Sequence, residues 1–455
     1  MSTTASRAEE LRSVLQETLD HASAAGATAA DVVAAESLAL SASVRLGEVE
    51  KLTDAREKRL GLRVFVGGRS AIAGTSDLSK RSLRRFAVET VELARVTAAD
   101  ALNGLPERTA LATEAPDLDL YDTGATIVAP DDALQDARTA EAAALETDSR
   151  LSNSEGAEFS QHASTIAYAS THGFDGGYRR SSFHLGVQPV ATADGAMQRD
   201  YWYARARHRT DLEDARSIGQ RAAARTLRRL GARKVKTQEA PVIFEPEVAA
   251  SLLGHLAAAV TGQNLYRGTS FLLGRLGETI AAPAVTVIDD GRLVRGHGSR
   301  PFDAEGLPTR RNVVVENGQL RSYLLDTYAA RRLELQPTGN AARAVDGGPS
   351  SAPTNLYLEA GQHSPDEIIG SVDRGLLVTE LIGFGVNQVT GDYSRGAAGL
   401  WIEHGEVTHA VEEITIAGNL LDMFRDIEMI GSDLTFRGSI AAPTVKIGRM
   451  TIAGS

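Results

Sequence analysis

The sequence contains no cysteine. This absence excludes disulfide bonds, a cysteine nucleophile and thiolate ligands for a metal ion, and it suits a reducing compartment. Long apolar runs are also missing, because no uninterrupted stretch reaches the ~18–20 residues that a membrane-spanning helix needs. The opening residues, MSTTASRAEELRSVLQ, lack the apolar core of a signal peptide. We therefore expect no disulfide bond, no secretion signal and no membrane partner.

Positive charge is in deficit, with 48 lysine and arginine residues against 59 aspartate and glutamate residues and a net charge of −11. Dedicated nucleic-acid-binding proteins usually have a basic surplus, so we do not expect a nucleic-acid partner. The 455 residues are too many for one compact core, and we expect two or three domains. A hydrophobic content of 42% and a charged content of 24% are ordinary for a soluble globular protein.

The order of helical and strand patterns predicts an α+β fold with several domains. Antiparallel sheets are flanked by helices, and the C-terminal domain is rich in strands. We assign residues 1–102 to an N-terminal α+β domain. Apolar spacing predicts a helix over 7–25, strands over 36–46 and 60–66, and a second helix over 77–99.

Residues 103–236 form the second predicted domain, which begins with a proline-containing loop over 103–130. A helix over 131–148, an antiparallel meander over 156–207 and a helix over 211–230 follow. The last helix carries five arginines: Arg216, Arg221, Arg225, Arg228 and Arg229. They indicate either a phosphate-binding stripe or a solvated helix face that meets acidic surface elsewhere. We favour the solvated face, because no aromatic residues for base stacking are interleaved with them.

Residues 237–455 form the third predicted domain, which is rich in strands and contains the helix discussed next. Strand patterns continue to the C-terminus, with two late strands expected around Leu434 and Val445. Residues 337–354 are rich in glycine, proline and serine. A loop of this length within a compact domain is often functional or disordered.

One stretch, residues 246–262, predicts a helix with one apolar face. Its apolar residues recur at spacings of three and four: Val248, Leu252, Leu253, Leu256 and Val260. Pro246 suits the first turn, and Gly262 supplies a stop. His255 lies within the helix, but a metal-binding helix presents two ligands on one face, and no second donor stands three or four residues farther on. We therefore interpret His255 as a structural histidine.

Common catalytic patterns are absent. The sequence has no Gly-x-Ser-x-Gly nucleophile elbow and no phosphate-binding loop ending in Gly-Lys-Ser/Thr. His404 and His409 flank a predicted hairpin turn beside two glutamates. They indicate either a metal site or exposed hairpin histidines, and we favour the second interpretation.

Several segments carry a resemblance to a known family. They are EVEK at 48–51, REK at 56–58, LGLRVF at 60–65, GDYSRGAAGLWIE at 391–403 and VEEITIAGNL at 411–420. In this order they resemble the opening domain and the closing signature of the TldD/PmbA peptidase family. The closing segments are more similar to its PmbA (TldE) branch than to its TldD branch.

The resemblance implies where a zinc-binding helix would lie, because in some family members this helix carries the motif His-Glu-x-x-x-His. When RGTS at 267–270 is matched to the turn that follows that helix, the two histidine positions fall on Leu253 and Ala258. The glutamate position falls on Gly254. None of these residues can bind zinc or act as a base. The family's metal site also uses a cysteine, so we expect no metal, no cofactor and no catalytic residue in this chain.

The family resemblance further implies a cytoplasmic chain that forms a heterodimer with a zinc-bearing TldD-type subunit, or a homodimer when alone. Our leading hypothesis is a zinc metallopeptidase complex that degrades or processes unfolded peptides in a chamber between its subunits. This chain would be the partner that binds no metal and is inactive alone. Residues expected to face peptide or partner are Tyr266, Arg267, Tyr393 and Arg395.

Two other hypotheses stay open. One is a regulatory binding protein of the DNA gyrase modulator type, with no role in peptide hydrolysis. The other is a self-sufficient hydrolase with an unrecognised site, for which the sequence offers no cluster of nucleophile and base.

Overall fold

The computed structural model describes residues 2–124 and 128–454. Part of the loop predicted over 103–130 therefore lies outside the described residues. The helices are α1 (Ser2–Ala24), α2 (Lys80–Val96), α3 (Pro130–Leu145), α4 (Ala215–Leu227), α5 (Pro246–Val260), α6 (Gly262–Tyr266), α7 (Thr327–Arg332), α8 (Pro365–Gly370) and α9 (Leu420–Arg425). No helix in these two ranges combines the length and the apolar content needed to cross a bilayer.

The strands up to residue 206 form one twisted sheet of seven strands in the order β3-β2-β1-β4-β5-β6, with β7 paired to β5. They are β1 (Ala29–Arg45), β2 (Glu48–Val66), β3 (Arg69–Thr75), β4 (Leu151–Ser170), β5 (Asp175–Ala193), β6 (Ala196–Arg199) and β7 (Trp202–Ala206). Strand β1 joins β4 in an antiparallel ladder, so the strands of the first two predicted domains share this large sheet. The boundary drawn at residues 102 and 103 stays a prediction.

Helices cover one face of the large sheet. Helices α1 and α2 bury the end of β1 that begins with Ala30 and Val32, and α3 and α4 bury the end with Leu40 and Ala42. Inward residues alternate along β1, as a half-buried strand requires. The opposite face of the large sheet is polar around Ser41, and this polar part is called the open face below. At its other end, Val33, Tyr168 and Phe174 pack against Phe302 of the C-terminal part.

The strands after residue 236 are β8 (Gln238–Phe244), β9 (Val287–Asp290), β10 (Arg311–Glu316), β11 (Gln319–Leu320), β12 (Ala341–Ala342), β13 (Ser350–Ser351), β14 (Leu356–Leu358), β15 (Arg374–Ile382), β16 (Asp392–Glu403), β17 (Glu406–Asn419), β18 (Ile427–Ile430), β19 (Ile440–Ala441) and β20 (Val445–Ala453). One sheet has the order β17-β16-β15-β8-β20-β18, and an additional pairing of β17 with β20 closes five of its strands into a ring. A second sheet has the order β11-β10-β9-β14-β19. The largest apolar core lies around α5 and contacts both sheets.

The predicted fold class is confirmed: antiparallel sheets are flanked by helices, and the C-terminal part is rich in strands. Several boundaries differ for local reasons. Strand β2 begins at Glu48 rather than at residue 60, because its fully exposed, charged first half has no apolar pattern and is held by backbone pairing to β1. The meander predicted from residue 156 begins earlier, because β4 starts at Leu151 and a bulge near Gly156 takes up the extra residues. The strand expected around Leu434 was wrong, because that segment is irregular.

The arginines of α4 are paired with carboxylates. Arg225 and Arg228 both donate to Glu245, at 3.0 Å and 2.7 Å. The other three pair with Glu146, Glu213 and Glu380. The structure therefore favours the helix face that meets acidic surface over the phosphate-binding stripe.

A buried charge network joins the large sheet to the C-terminal part. Asp31 on β1 accepts from Nε of Arg63 on β2 at 2.7 Å and from Nη1 of Arg343 at 2.6 Å. Arg63 also contacts Glu305, which in turn accepts from the backbone amide of Thr327 at 2.8 Å. Burial alone would raise the pKa of Asp31, but Arg63 and Arg343 outweigh it and lower that pKa. We call Asp31, Arg63, Glu305 and Arg343 the junction network.

Arg343 belongs to the predicted loop over 337–354. This segment contains the short β12–β13 pair, and it packs against β2 and β3, where Gly61 leaves room for the backbone at Val345. The loop therefore has a structural role between the two halves of the molecule.

Candidate functional site

The sequence places α5 with ordinary helix signals. Pro246 occupies the first turn, and the carboxylate of Glu247 lies there too, where the helix dipole favours negative charge. The chain then folds back on the C-terminal end of the helix. The side-chain amide of Asn264 donates to the Ala258 carbonyl at 2.7 Å, and the hydroxyl of Ser270 donates to the Ala259 carbonyl at 2.6 Å. The turn over 261–270 therefore satisfies carbonyls that the end of a helix leaves free.

The three motif positions on α5 have different surroundings. Leu253 is buried in the main core, so this position serves packing. Gly254 faces open space, because a methyl group added there would meet no atom within 4 Å. Ala258 is half-buried.

Four polar side chains lie together beside this helix. The imidazole Nδ1 of His255 lies 3.3 Å from the amide nitrogen of Gln388, and the rings of His255 and Tyr393 are 6.1 Å apart in an edge-on arrangement. Tyr393 and Arg395 point to the same side of β16, because they are two residues apart on a strand. We call His255, Gln388, Tyr393 and Arg395 the His255 cluster.

The His255 cluster has more buried polar atoms than it can pair within the chain. His255 Nε2, Gln388 Oε1, Tyr393 Oη and Arg395 Nε have no hydrogen-bond partner among the described residues. Such atoms are costly to bury without a partner, and in a folded protein they often mark a place where water or a ligand binds.

Burial and a nearby cation set the charges in the cluster. Burial lowers the pKa of His255, and the guanidinium of Arg395 lowers it further. Burial raises the pKa of Tyr393, and Arg395 opposes this rise although no well-formed hydrogen bond joins the two. At neutral pH the cluster therefore carries a neutral imidazole, a neutral phenol and one positive charge.

The residues of the His255 cluster do not fit a zinc ion. A structural or catalytic zinc site needs three or four nitrogen, sulfur or carboxylate ligands. Here His255 is the one such donor, and Arg395 beside it would repel a cation. No three histidine, cysteine, aspartate or glutamate side chains in the described part of the chain are grouped to hold a metal. Whether the purified chain contains zinc stays a prediction.

The structure separates the four residues predicted to face peptide or partner. Tyr393 and Arg395 lie in the His255 cluster. Tyr266 lies at the end of α6, where its ring is 5.7 Å from that of Tyr328 and the exposed Arg267 lies over it at 5.8 Å. Tyr328 donates to Asp100 at 2.8 Å, so this second pair faces the linker after α2. Contact of any of the four with peptide or partner stays a prediction.

Sequence reasoning did not single out Gln388. It lies in the loop between β15 and β16, and only the folding of that loop against α5 brings it to His255. The hairpin histidines are simpler. His404 pairs with Asp373 at 2.8 Å on the surface, and His409 contacts the hydroxyl of Thr408 at 2.9 Å, in line with the second interpretation given above.

A seven-stranded sheet joined to a closed ring of strands, with α5 in the largest apolar core, defines the fold class of a family of metallopeptidases. Family models assign the chain to that class. The PmbA/TldA metallopeptidase domain 1 matches residues 30–94, the central domain matches 126–230 and the C-terminal domain matches 237–454. The chain belongs to this PmbA/TldD metallopeptidase family, and the resemblance stated from sequence is confirmed.

Individual relatives match this chain over nearly their whole length. A protein of Escherichia coli O157:H7 named Metalloprotease PmbA is 39% identical over 99% of this chain and 98% of its own. A Metalloprotease PmbA homolog of Haemophilus influenzae is 35% identical over 98% and 97% of the two chains. A crystal structure from Bacteroides thetaiotaomicron, described as a candidate modulator of DNA gyrase, has a TM-score of 0.91 and 29% identity over 98% and 99% of the chains.

Proposed function

We propose that this chain is the subunit without metal in a two-subunit zinc peptidase of the TldD/TldE type, acting on unfolded peptides in the cytoplasm. The observation that carries the proposal is the contrast on α5. The helix keeps its buried apolar face, with Leu253 in the core, while the positions for ligands and base hold no donor. The helix therefore packs the core without supplying ligands, which supports a complex in which a partner provides zinc and the general base.

The His255 cluster supports a role in holding peptide. Its unpaired polar atoms can donate to and accept from a peptide backbone, which every sequence offers. Holding a substrate near a metal can supply several kcal/mol of a barrier, with ~7–11 kcal/mol as the upper range. The cluster therefore suits a subunit that positions peptide while its partner activates water.

An exposed apolar loop beside the His255 cluster supports the proposal that a partner subunit binds there. The loop that carries Gln388 also carries Phe384, which is 99% exposed, and the exposed Val389, and the exposed Ile382 ends β15 just before it. A large aromatic ring in this position is typical of a surface that another protein covers. An obligate interface of this kind buries roughly 2,000 Å² or more in total.

The decisive experiment measures cleavage of an unstructured peptide by this chain, by a zinc-bearing TldD-type partner and by their mixture. We expect turnover only in the mixture, and loss of turnover when the partner's catalytic glutamate is removed. In the mixture, Arg395→Gln in this chain should lower turnover, whereas Arg84→Gln on the exposed side of α2 should not. Chelator-resistant cleavage by this chain alone would contradict the proposal.

A second candidate is a regulatory binding protein, favoured by the description of the Bacteroides structure as a candidate modulator of DNA gyrase. Co-purification distinguishes the two. Recovery of a zinc-bearing subunit supports the peptidase complex, and recovery of gyrase without such a subunit supports the regulator.

A further inference from the structure

The open face of the large sheet contains a cavity of about 440 Å³ that is distinct from the His255 cluster. It crosses β1, β4, β5 and β7, and His297 from the C-terminal part lies at its side. Four neighbouring strands span roughly 14 Å at their ~4.8 Å spacing. An extended peptide covers that distance with about four residues.

The lining of this cavity is basic although the chain is acidic overall. It includes three arginines and three histidines, and none of its lining residues is an aspartate or a glutamate. We call this set the basic groove: His162, Arg180, His184, Arg205, Arg207 and His297. In contrast to the arginines of α4, Arg180 and Arg205 form no ion pair with any carboxylate in the described ranges. The lining of this cavity therefore contains no carboxylate to balance its positive charge, and Glu158 acts on His184 from the adjoining cavity.

Arg207 is fixed in the wall of the groove. It is 5% exposed, and its guanidinium donates to the backbone carbonyls of Ser181 at 2.8 Å, Gly296 at 3.3 Å and His297. Neutral carbonyls satisfy its hydrogen bonds without cancelling its charge. Burial lowers the pKa of Arg207 to about 10, and Arg180 and Arg205 contribute to this decrease. The three arginines are therefore close enough to repel one another.

The histidines respond to the same charges. Burial and Arg180 lower the pKa of His162, and burial and Arg205 lower the pKa of His184, with Glu158 opposing the second shift. Burial, Arg207 and Arg205 lower the pKa of His297 to about 4. A bound anion would reduce the repulsion between the positive charges of the groove. The groove therefore has the electrostatics of an anion-binding site.

A second cavity of about 590 Å³ adjoins the groove and shares His184 and Arg205 with it. Its lining also includes Glu50, Glu155 and Glu158, so the positive charge is concentrated in the basic groove. Tyr201 and Tyr203 lie in this cavity with their rings stacked 6.1 Å apart. Arg437, at its edge, donates to Glu247 in the first turn of α5 at 2.6 Å. The two cavities together form an elongated path that leads from the basic groove towards α5, a shape that suits an extended chain better than a small ion.

We propose that the basic groove binds an acidic side chain of an extended peptide, with Arg180 and Arg205 as the groups that select it. This inference rests on the proposed function and adds a substrate class to it: peptides with aspartate or glutamate a few residues from the bond that is cut.

The test measures binding of three labelled peptides to the full-length chain by fluorescence anisotropy at low ionic strength. The peptides have the same length and differ by carrying glutamate, glutamine or lysine at two positions. We expect the glutamate peptide to bind about tenfold more tightly than the glutamine peptide. The double variant Arg180→Gln/Arg205→Gln should lose this preference, and Arg180→Lys/Arg205→Lys should keep most of it.

The matched control is Arg81→Gln/Arg84→Gln, which removes two exposed arginines of α2 and should leave the preference unchanged. Equal binding of the glutamate and glutamine peptides would overturn the proposal, as would no binding of any peptide. Inorganic phosphate that competes as tightly as the glutamate peptide would show a small-anion site and would also overturn it. Hydrolysis by the mixed subunits is measured separately, so failure here is distinguishable from failure of the proposed function.

Discussion

The junction network and the His255 cluster are both buried sets of polar side chains, but they differ in whether their charges are balanced. At the junction, the carboxylates of Asp31 and Glu305 balance the guanidinium groups of Arg63 and Arg343, although Nε and Nη2 of Arg343 have no hydrogen-bond partner among the described residues. In the His255 cluster, every member has a buried atom without a partner within the described chain. The comparison teaches that balanced buried charges serve to hold two parts of a structure together. A buried cation that pairs with no carboxylate in the described chain, here Arg395, instead leaves polar atoms available to something that binds.

The largest expected effect is at the junction. Asp31→Asn removes the negative charge between Arg63 and Arg343 and leaves two buried cations with one carboxylate. We expect the free energy of unfolding to fall by about 3–5 kcal/mol, the usual cost of breaking a buried ion pair. Urea denaturation measures this change. Asp54→Asn, on the exposed part of β2, is the control, and an equal effect of the two substitutions would contradict the pairing argument.

The junction should also make the protein sensitive to acid. The pKa of Asp31 is lowered in the folded state, so its stabilisation is present above the unfolded pKa and is lost as the pH falls through the folded pKa.

The next effect concerns His297 of the basic groove. Its folded pKa of about 4 lies below the unfolded value of 6.5, so the unfolded chain binds a proton first as the pH falls. We expect this histidine to lower the free energy of unfolding by about 1–2 kcal/mol between pH 7 and pH 5, allowing for its partial exposure. His297→Gln should reduce the measured loss over that range and leave the interval from pH 7 to pH 9 unchanged. The same loss in both proteins would show that another group is responsible.

The next prediction compares the space around two helical glycines, one on α5 and one on α4. Gly254 faces open space beside the His255 cluster, so Gly254→Ala should raise the free energy of unfolding by about 0.5–1 kcal/mol through helix propensity. Gly219 on α4 is different, because an added methyl group would lie 2.2 Å from the Ala140 carbonyl oxygen. Gly219→Ala should destabilise the protein, and thermal unfolding of both variants checks the opposite signs. Loss of stability in Gly254→Ala would mean that α5 is covered at that point.

The smallest effect is expected within the His255 cluster. The Tyr393 hydroxyl has no hydrogen-bond partner among the described residues, so Tyr393→Phe should change the free energy of unfolding by less than about 0.5 kcal/mol. Peptide turnover by the mixed subunits should nevertheless fall if this hydroxyl contacts substrate. A loss of stability much above 1 kcal/mol would show that the hydroxyl is bonded within the folded chain, and the contrast with the junction would then fail.

Local patterns predicted much of the fold. The periodicity of α5, its Pro246 start and the hairpin turns followed from spacing and turn chemistry. The charged half of β2 could not be predicted in this way, because its stability comes from pairing with β1 and not from an apolar face. The loop over 337–354 is also held by long-range contacts, since it supplies Arg343 to the junction network. Its composition alone therefore predicted only a functional or disordered loop.

The sequence by itself determined the helix that lacks zinc donors, the absence of cysteine and the family. These are properties of residue types at fixed spacing, which need no distant contact to be read. Only the tertiary structure decided that His255, Gln388, Tyr393 and Arg395 share one cluster and that Asp31 faces Arg343. It also decided that Arg180 and Arg205 lie in a groove without an ion pair to any described carboxylate. Each of these facts depends on segments tens to hundreds of residues apart. A local sequence pattern does not show which distant side chains will pair with one another in the folded protein.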